Sequence, residues 1–205
     1  MIPRLILCAA MLAAQSAAAA DFTVTVRDQT GAPIADAIVL LAAGNGEKAR
    51  GGHARIVDQK NEKFLPFVSL LRPGDWLQFH NSDNVLHHVY SFSPLNPFDQ
   101  HVRPDETTKS AIYDAVGVAA IGCNVHDDML TYVYVTDLPF AAKTGPDGAA
   151  RIVNAPAGET ELAVWHPRAK TGEQKLAVPV ALNGADQQIA VVLPLRPERR
   201  RSSRY

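Results

Sequence analysis

Thr131-Tyr-Val-Tyr-Val135 alternates polar and apolar side chains with a period of two, the signature of a strand with one face in a core. The same short pattern recurs along the whole chain, and nowhere is a helical apolar period sustained. Phe22-Thr-Val-Thr-Val26 alternates in the same way, Asp28-Gln-Thr-Gly31 supplies a turn, and Ala37-Ile-Val-Leu-Leu41 is a short apolar run. Further strands are read at Val68 to Leu71, Trp76 to Phe79, His88 to Phe92, Ser110 to Tyr113 and Val118 to Ile121. Beyond Val135 they are read at Ala150 to Val153, Glu161 to Trp165 and Gln188 to Leu193. Gly145-Pro-Asp-Gly148 and Pro156-Ala-Gly158 punctuate the later ones. Many short strands separated by Gly, Pro and Asp turns predict an all-β sandwich architecture.

The N-terminus reads as a secretory signal peptide. Arg4 precedes the apolar run Leu5 to Ala14, and Ala17-Ala18-Ala19-Ala20 leads to the polar Asp21. Cleavage is expected near Ala20/Asp21, with the mature protein in the periplasm. The run is shorter than the roughly 20 apolar residues a spanning helix needs, so no membrane insertion is expected. Of the two cysteines, Cys8 lies in the segment to be removed, and Cys123 has no intrachain partner. A lone cysteine in an oxidising compartment forms an intermolecular bridge, stays buried and inert, or binds a metal as thiolate.

Its neighbours favour the metal. In Gly122-Cys123-Asn124-Val125-His126-Asp127-Asp128-Met129 a thiolate, an imidazole and a thioether recur with two residues between each. Soft sulfur donors combined with imidazole suit copper, and one Cys with two His and a weak axial Met serves electron transfer. Zinc is the rival metal, since it also takes Cys and His but gains little from a thioether. The second histidine has four candidates in His80, His87, His88 and His101. Successive side chains on a strand face opposite ways, so His87 and His88 do not share an ion. Singly, each residue has a blander role, as a buried small hydrophobe, a core filler or a hydrogen-bonded histidine. Their joint spacing is what points to a metal.

Other chemistries find no signal. Cys123-x-x-His126 lacks the second Cys of a covalent haem site, and neither a Gly-rich phosphate loop nor a Gly-x-Ser-x-Gly elbow is present. A formal net charge of −1 gives no general attraction for nucleic acid. Arg196, Arg199, Arg200, Arg201 and Arg204 crowd the last ten residues as a basic tail with no interleaved aromatic before Tyr205. It reads as a solvated end or as a docking arm for an acidic surface.

Phe79-His-Asn81-Ser-Asp-Asn-Val-Leu-His87-His-Val89 resembles the plastocyanin and amicyanin segment in which an Asn opens a loop and a ligating His follows six residues later. Cys-x2-His-x2-Met is likewise similar to amicyanin. The resemblance covers residues 55–137 and implies a cupredoxin, a Greek-key β-sandwich holding one type 1 copper ion. It assigns the ligands His87, Cys123, His126 and Met129, with Asn81, Asn124 and His88 as candidates for bracing them. Asn81, Asp83, His87-His88 and Cys123-Asn124-x-His126-Asp127 most resemble an exported cupredoxin-like family named for methylamine utilization. Residues 21–54 and 138–195 resemble the two halves of a carboxypeptidase regulatory-like, transthyretin-type sandwich into which the middle segment is inserted. The expectation is a single-electron carrier and not an enzyme; the alternatives are a β-sandwich binding module with a structural copper site and a copper storage or delivery protein. The carrier's partner would be a redox protein such as a c-type cytochrome or a dehydrogenase.

Overall fold

The computed structural model describes residues 19–44 and 46–197. Of the expected signal peptide (residues 1–20) and basic tail (residues 196–205), residues 1–18 and 198–205 lie outside the described residues, while Ala19 and Ala20 are the first residues of a strand. From the N-terminal side come β1 (Ala19–Arg27) and β2 (Ile38–Leu41). The middle of the chain gives β3 (Ala54–Gln59), β4 (Phe64–Leu65), β5 (Val68–Leu71), β6 (Asp75–Asn81), β7 (His87–Ser91), β8 (Phe98–Val102), β9 (Thr107–Tyr113), β10 (Gly117–Cys123) and β11 (Leu130–Val135). β12 (Phe140–Lys143), β13 (Ala149–Pro156), β14 (Gly158–Trp165), β15 (Lys175–Leu182) and β16 (Gln187–Val192) follow. Among the described residues, no helix is long and apolar enough to cross a membrane.

The chain is all-β, and its strands sort into four sheets. Strands from the two ends of the chain form the sheets β13-β1-β16 and β12-β2-β14-β15, and the middle strands form β5-β11-β10-β7-β8 and β4-β3-β6-β9. Most neighbours are antiparallel, but β1 with β16, β5 with β11 and β3 with β6 run parallel, so the sheets are mixed.

Each pair of sheets closes over its own core. Phe22, Val24 and Val26 of β1 alternate inward and meet Val39, Leu41, Leu162 and Val164 from the facing sheet. In the middle pair, Leu77 and Phe79 of β6 meet Val89, Ile121 and Val133. Burial of each such side chain stabilises the fold by roughly 1.5–3 kcal/mol. A third cluster joins the two pairs: Ile38 and Leu40 of β2 with Ala163 and Trp165 of β14 pack on Val68, Tyr132 and Tyr134. This explains why Ile38-Val-Leu-Leu41 reads as a continuous apolar run. Val39 and Leu41 fill the sandwich core, while Ile38 and Leu40 fill the contact between sandwiches, and all four are buried.

The inward phase of the middle strands also sets the polar positions. On β6, Asp75 and Asn81 share the buried face with Leu77 and Phe79, at opposite ends of the strand. Asp75 accepts hydrogen bonds from the backbone N–H groups of Gly52, His53 and Arg72, which pins the entry to β3 against β6. Asn81 sits at the other end, where β6 hands over to the loop before β7.

Candidate metal centre

Period two decides which side chains enter this end of the middle sandwich. His87, Val89 and Ser91 are the buried positions of β7, so the first residue of the strand points inward and His88 outward. Ala119, Ile121 and Cys123 are the buried positions of β10, which places Cys123 at its last residue. β10 runs antiparallel to both β7 and β11, with Cys123 opposite Val89 and Gly122 opposite Leu130. The start of β7, the end of β10 and the start of β11 therefore lie side by side. Met129, immediately before β11, is buried in the same core as Cys123.

The loop from Asn124 to Met129 is tied on both sides. The Cys123 N–H donates to the Met129 carbonyl at 3.2 Å, and the Met129 N–H donates to the His126 carbonyl at 3.0 Å. The Asn124 N–H donates to the His88 carbonyl at 2.9 Å, fastening the loop to β7. These bonds make a compact turn that holds Cys123 and His126 on one side of the loop and starts β11 directly after the buried Met129.

His87, Cys123 and His126 each offer a donor atom, all within 4.8 Å of one another. Cys123 Sγ lies 3.7 Å from His87 Nδ1. A metal held at about 2.0 Å from nitrogen and about 2.3 Å from sulfur at a trigonal angle places those two atoms about 3.7 Å apart. The His87 and His126 rings have centroids 5.1 Å apart at 59°. His126 Nδ1 is buried with no hydrogen-bond partner, and an orphaned buried ring nitrogen is costly unless something binds it. The residues thus fit a metal ion. The His87 and His126 imidazoles converge on a free buried thiol at one end of the sandwich, where Met129 is also buried.

Asp83 is the residue that sequence reasoning did not place in the site. His87 Nε2 lies 3.0 Å from Asp83 Oδ2, an arrangement in which Nε2–H donates to the carboxylate and Nδ1 is left as the lone pair facing Cys123. Burial raises the Asp83 carboxyl, but hydrogen bonds from the Glu62 and Asn61 backbone N–H groups and from His87 outweigh it and hold its pKa below the usual carboxylate range. Glu62 also brings Oε1 to 3.9 Å from His126 Nε2. The signal available in the sequence was the spacing of Asp83 four residues before His87; Glu62, far away in the chain, left none.

The expected bracing residues divide. Asn81 is fully buried and braces the loop: its Nδ2 donates to the Val85 and Val102 carbonyls, and its Oδ1 accepts the Asp83 N–H. It positions Asp83, which positions His87. Asn124 turns its amide to His88 Nδ1 at 3.4 Å. His88 points to the opposite face from His87 and meets Asp99 at 2.6 Å, so its ring does not brace the buried donors. Of the other histidine candidates, His80 pairs with Thr107 and His101 stacks on His88.

No family model matches the chain and no curated protein matches it. Solved structures do. An amicyanin variant in the Cu(I) form aligns at 14% identity and TM-score 0.37 over 47% of this chain and 97% of that one. Amicyanin from Paracoccus versutus aligns at 14% identity and TM-score 0.37 over 46% of this chain and 96% of that one. A copper-containing nitrite reductase from Thermus scotoductus SA-01 aligns at 19% identity and TM-score 0.39 over 46% of this chain and 25% of that one. Likenesses so distant carry no argument about what this chain binds. Its own geometry defines an all-β protein with a buried cysteine–histidine pocket at one end of a sandwich.

Proposed function

We propose that this chain is an exported type 1 copper protein that passes single electrons between redox partners in the periplasm, and that it is not an enzyme. The observation that carries the reading is the convergence of His87 Nδ1 on Cys123 Sγ at 3.7 Å beside the unpartnered, buried His126 Nδ1. Copper bound there supplies one reversible oxidation-state change. A thiolate with two imidazoles and a thioether suits copper in both states, whereas zinc has no use for Met129.

The chain's own residues do the rest. Asp83 fixes the His87 ring and its tautomer, Asn81 fixes Asp83, and Leu77, Phe79, Ile121 and Val133 form a packed floor that keeps the donors from relaxing. The His126 side chain is 24% exposed, which brings one ligand edge to the surface. Val85, Leu86 and Val125, exposed on the two ligand-bearing loops, give that surface an apolar rim on which a c-type cytochrome or a dehydrogenase would dock.

Voltammetry of the copper-loaded mature protein tests the reading. A reversible one-electron couple with fast self-exchange is expected. Tight Cu(I) binding without a reversible couple would assign the chain to copper storage or delivery instead.

A further inference from the structure

We propose that His88, Asp99 and His101 form a second metal site, open to solvent, for a divalent ion of the copper and zinc type. The site stands on residues outside the buried pocket and does not depend on what that pocket holds.

The register of one strand pair creates it. β7 and β8 run antiparallel with His88 opposite His101 and Tyr90 opposite Asp99. Directly opposed residues and residues two apart share a face of a sheet, so His88, His101 and Asp99 emerge together on the face that His87 does not use. The His88 and His101 rings stack with centroids 4.2 Å apart at 11°, and His88 Nε2 lies 2.6 Å from Asp99 Oδ1. One donor atom from each of the three residues falls within 4.8 Å of the other two. Two imidazoles bound to one ion at about 2.1 Å with a tetrahedral angle need nitrogens about 3.4 Å apart. A modest rotation of these surface rings from their stack provides that.

The donor set selects the ion class. It contains imidazole and carboxylate but no sulfur, so it lacks what favours Cu(I) and suits Zn²⁺ or Cu²⁺. Exposure decides the kind of site. The Asp99 side chain is 64% exposed and that of His88 20%. An ion on these three ligands would keep an open position for water or for a ligand from outside, unlike a closed structural site.

Its place is also specific. His88 follows His87 directly, and Asn124, which follows Cys123, donates its backbone N–H to the His88 carbonyl and turns its amide to the His88 ring. The outer cluster thus shares β7 with the inner pocket and is tied through Asn124 to the loop that follows Cys123.

Zinc titration of the metal-free Cys123→Ser protein tests the proposal, because that background removes the thiolate of the inner pocket. Isothermal calorimetry near neutral pH is expected to give one Zn²⁺ per chain. Adding His101→Ala, or in a separate variant Asp99→Asn, should weaken zinc at least about tenfold. Both positions are exposed, and far-UV circular dichroism should show each variant folded. Absence of zinc binding in the Cys123→Ser background would overturn the proposal. So would an affinity that neither His101→Ala nor Asp99→Asn changes, since any zinc would then sit on His87 and His126.

Discussion

His166 follows β14 and is only 3% exposed, its ring 6.1 Å from Phe67 where the two sandwiches meet. Its Nδ1 accepts the Arg168 backbone N–H at 3.2 Å, a role that requires a ring unprotonated at that nitrogen. Burial, and then the Arg168 charge, push its pKa from 6.5 down to about 4. Above pH 6.5 the ring is neutral both folded and unfolded. As pH falls from 6.5 to about 4 the unfolded chain binds a proton that the folded one refuses, so stability falls with pH and the loss is complete below about 4. At 1.36 kcal/mol per unit the full loss is about 3 kcal/mol, of which roughly 2.5 kcal/mol has occurred by pH 4.5. His166→Asn keeps an oxygen to accept the Arg168 N–H and removes the titration. Urea unfolding of both metal-free proteins, followed by tryptophan fluorescence with the buried Trp165 next in sequence, measures the difference at pH 7.5 and pH 4.5. The other titrating groups are common to both proteins and cancel. Relative to wild type, the variant should gain about 2.5 kcal/mol between the two pH values. An unchanged difference would refute the reasoning.

Two further outcomes follow from the geometry. Asp83→Asn removes the carboxylate that orients His87 and accepts the Asn61 and Glu62 N–H groups; copper affinity, read by chelator competition, should fall about 10- to 100-fold. Gly148→Ala places a Cβ 2.5 Å from the Val26 carbonyl oxygen at a φ of +77°, so urea unfolding should show a loss of at least about 2 kcal/mol.

Much of the architecture was legible because period-two alternation reports the buried face directly. Phe22-Thr-Val-Thr-Val26 and Thr131-Tyr-Val-Tyr-Val135 both place their alternate residues inward. The strands that the pattern missed were β3, β4, β8, β12 and β15, and apart from β3 each lies at a sheet edge. An edge strand buries less and tolerates charge and proline. β15 carries Pro179 opposite Glu161, and β8, Phe98-Asp-Gln-His-Val102, buries only Val102. β3 was hidden by Arg55 and Asp58 in a strand whose Ile56 is 63% exposed. At the candidate site the spacing of Cys123, His126 and Met129 stood out in the sequence because all three candidate donors lie on or beside one short loop. Asp83 and Glu62 were not, since their roles depend on which N–H groups and which imidazole the fold brings to them across the β3–β4 turn. His88 was read as a brace for the pocket, but strand alternation turns its ring to the outer face.

The most direct test of the copper assignment is the visible absorption spectrum of the Cu(II)-loaded mature protein beside that of Cys123→Ser. The wild type should show an intense thiolate-to-copper charge-transfer band, and the variant, folded by far-UV circular dichroism, should lack it. A band that survives Cys123→Ser, or its absence from wild type carrying one copper per chain, would contradict a copper centre built on Cys123, His87 and His126.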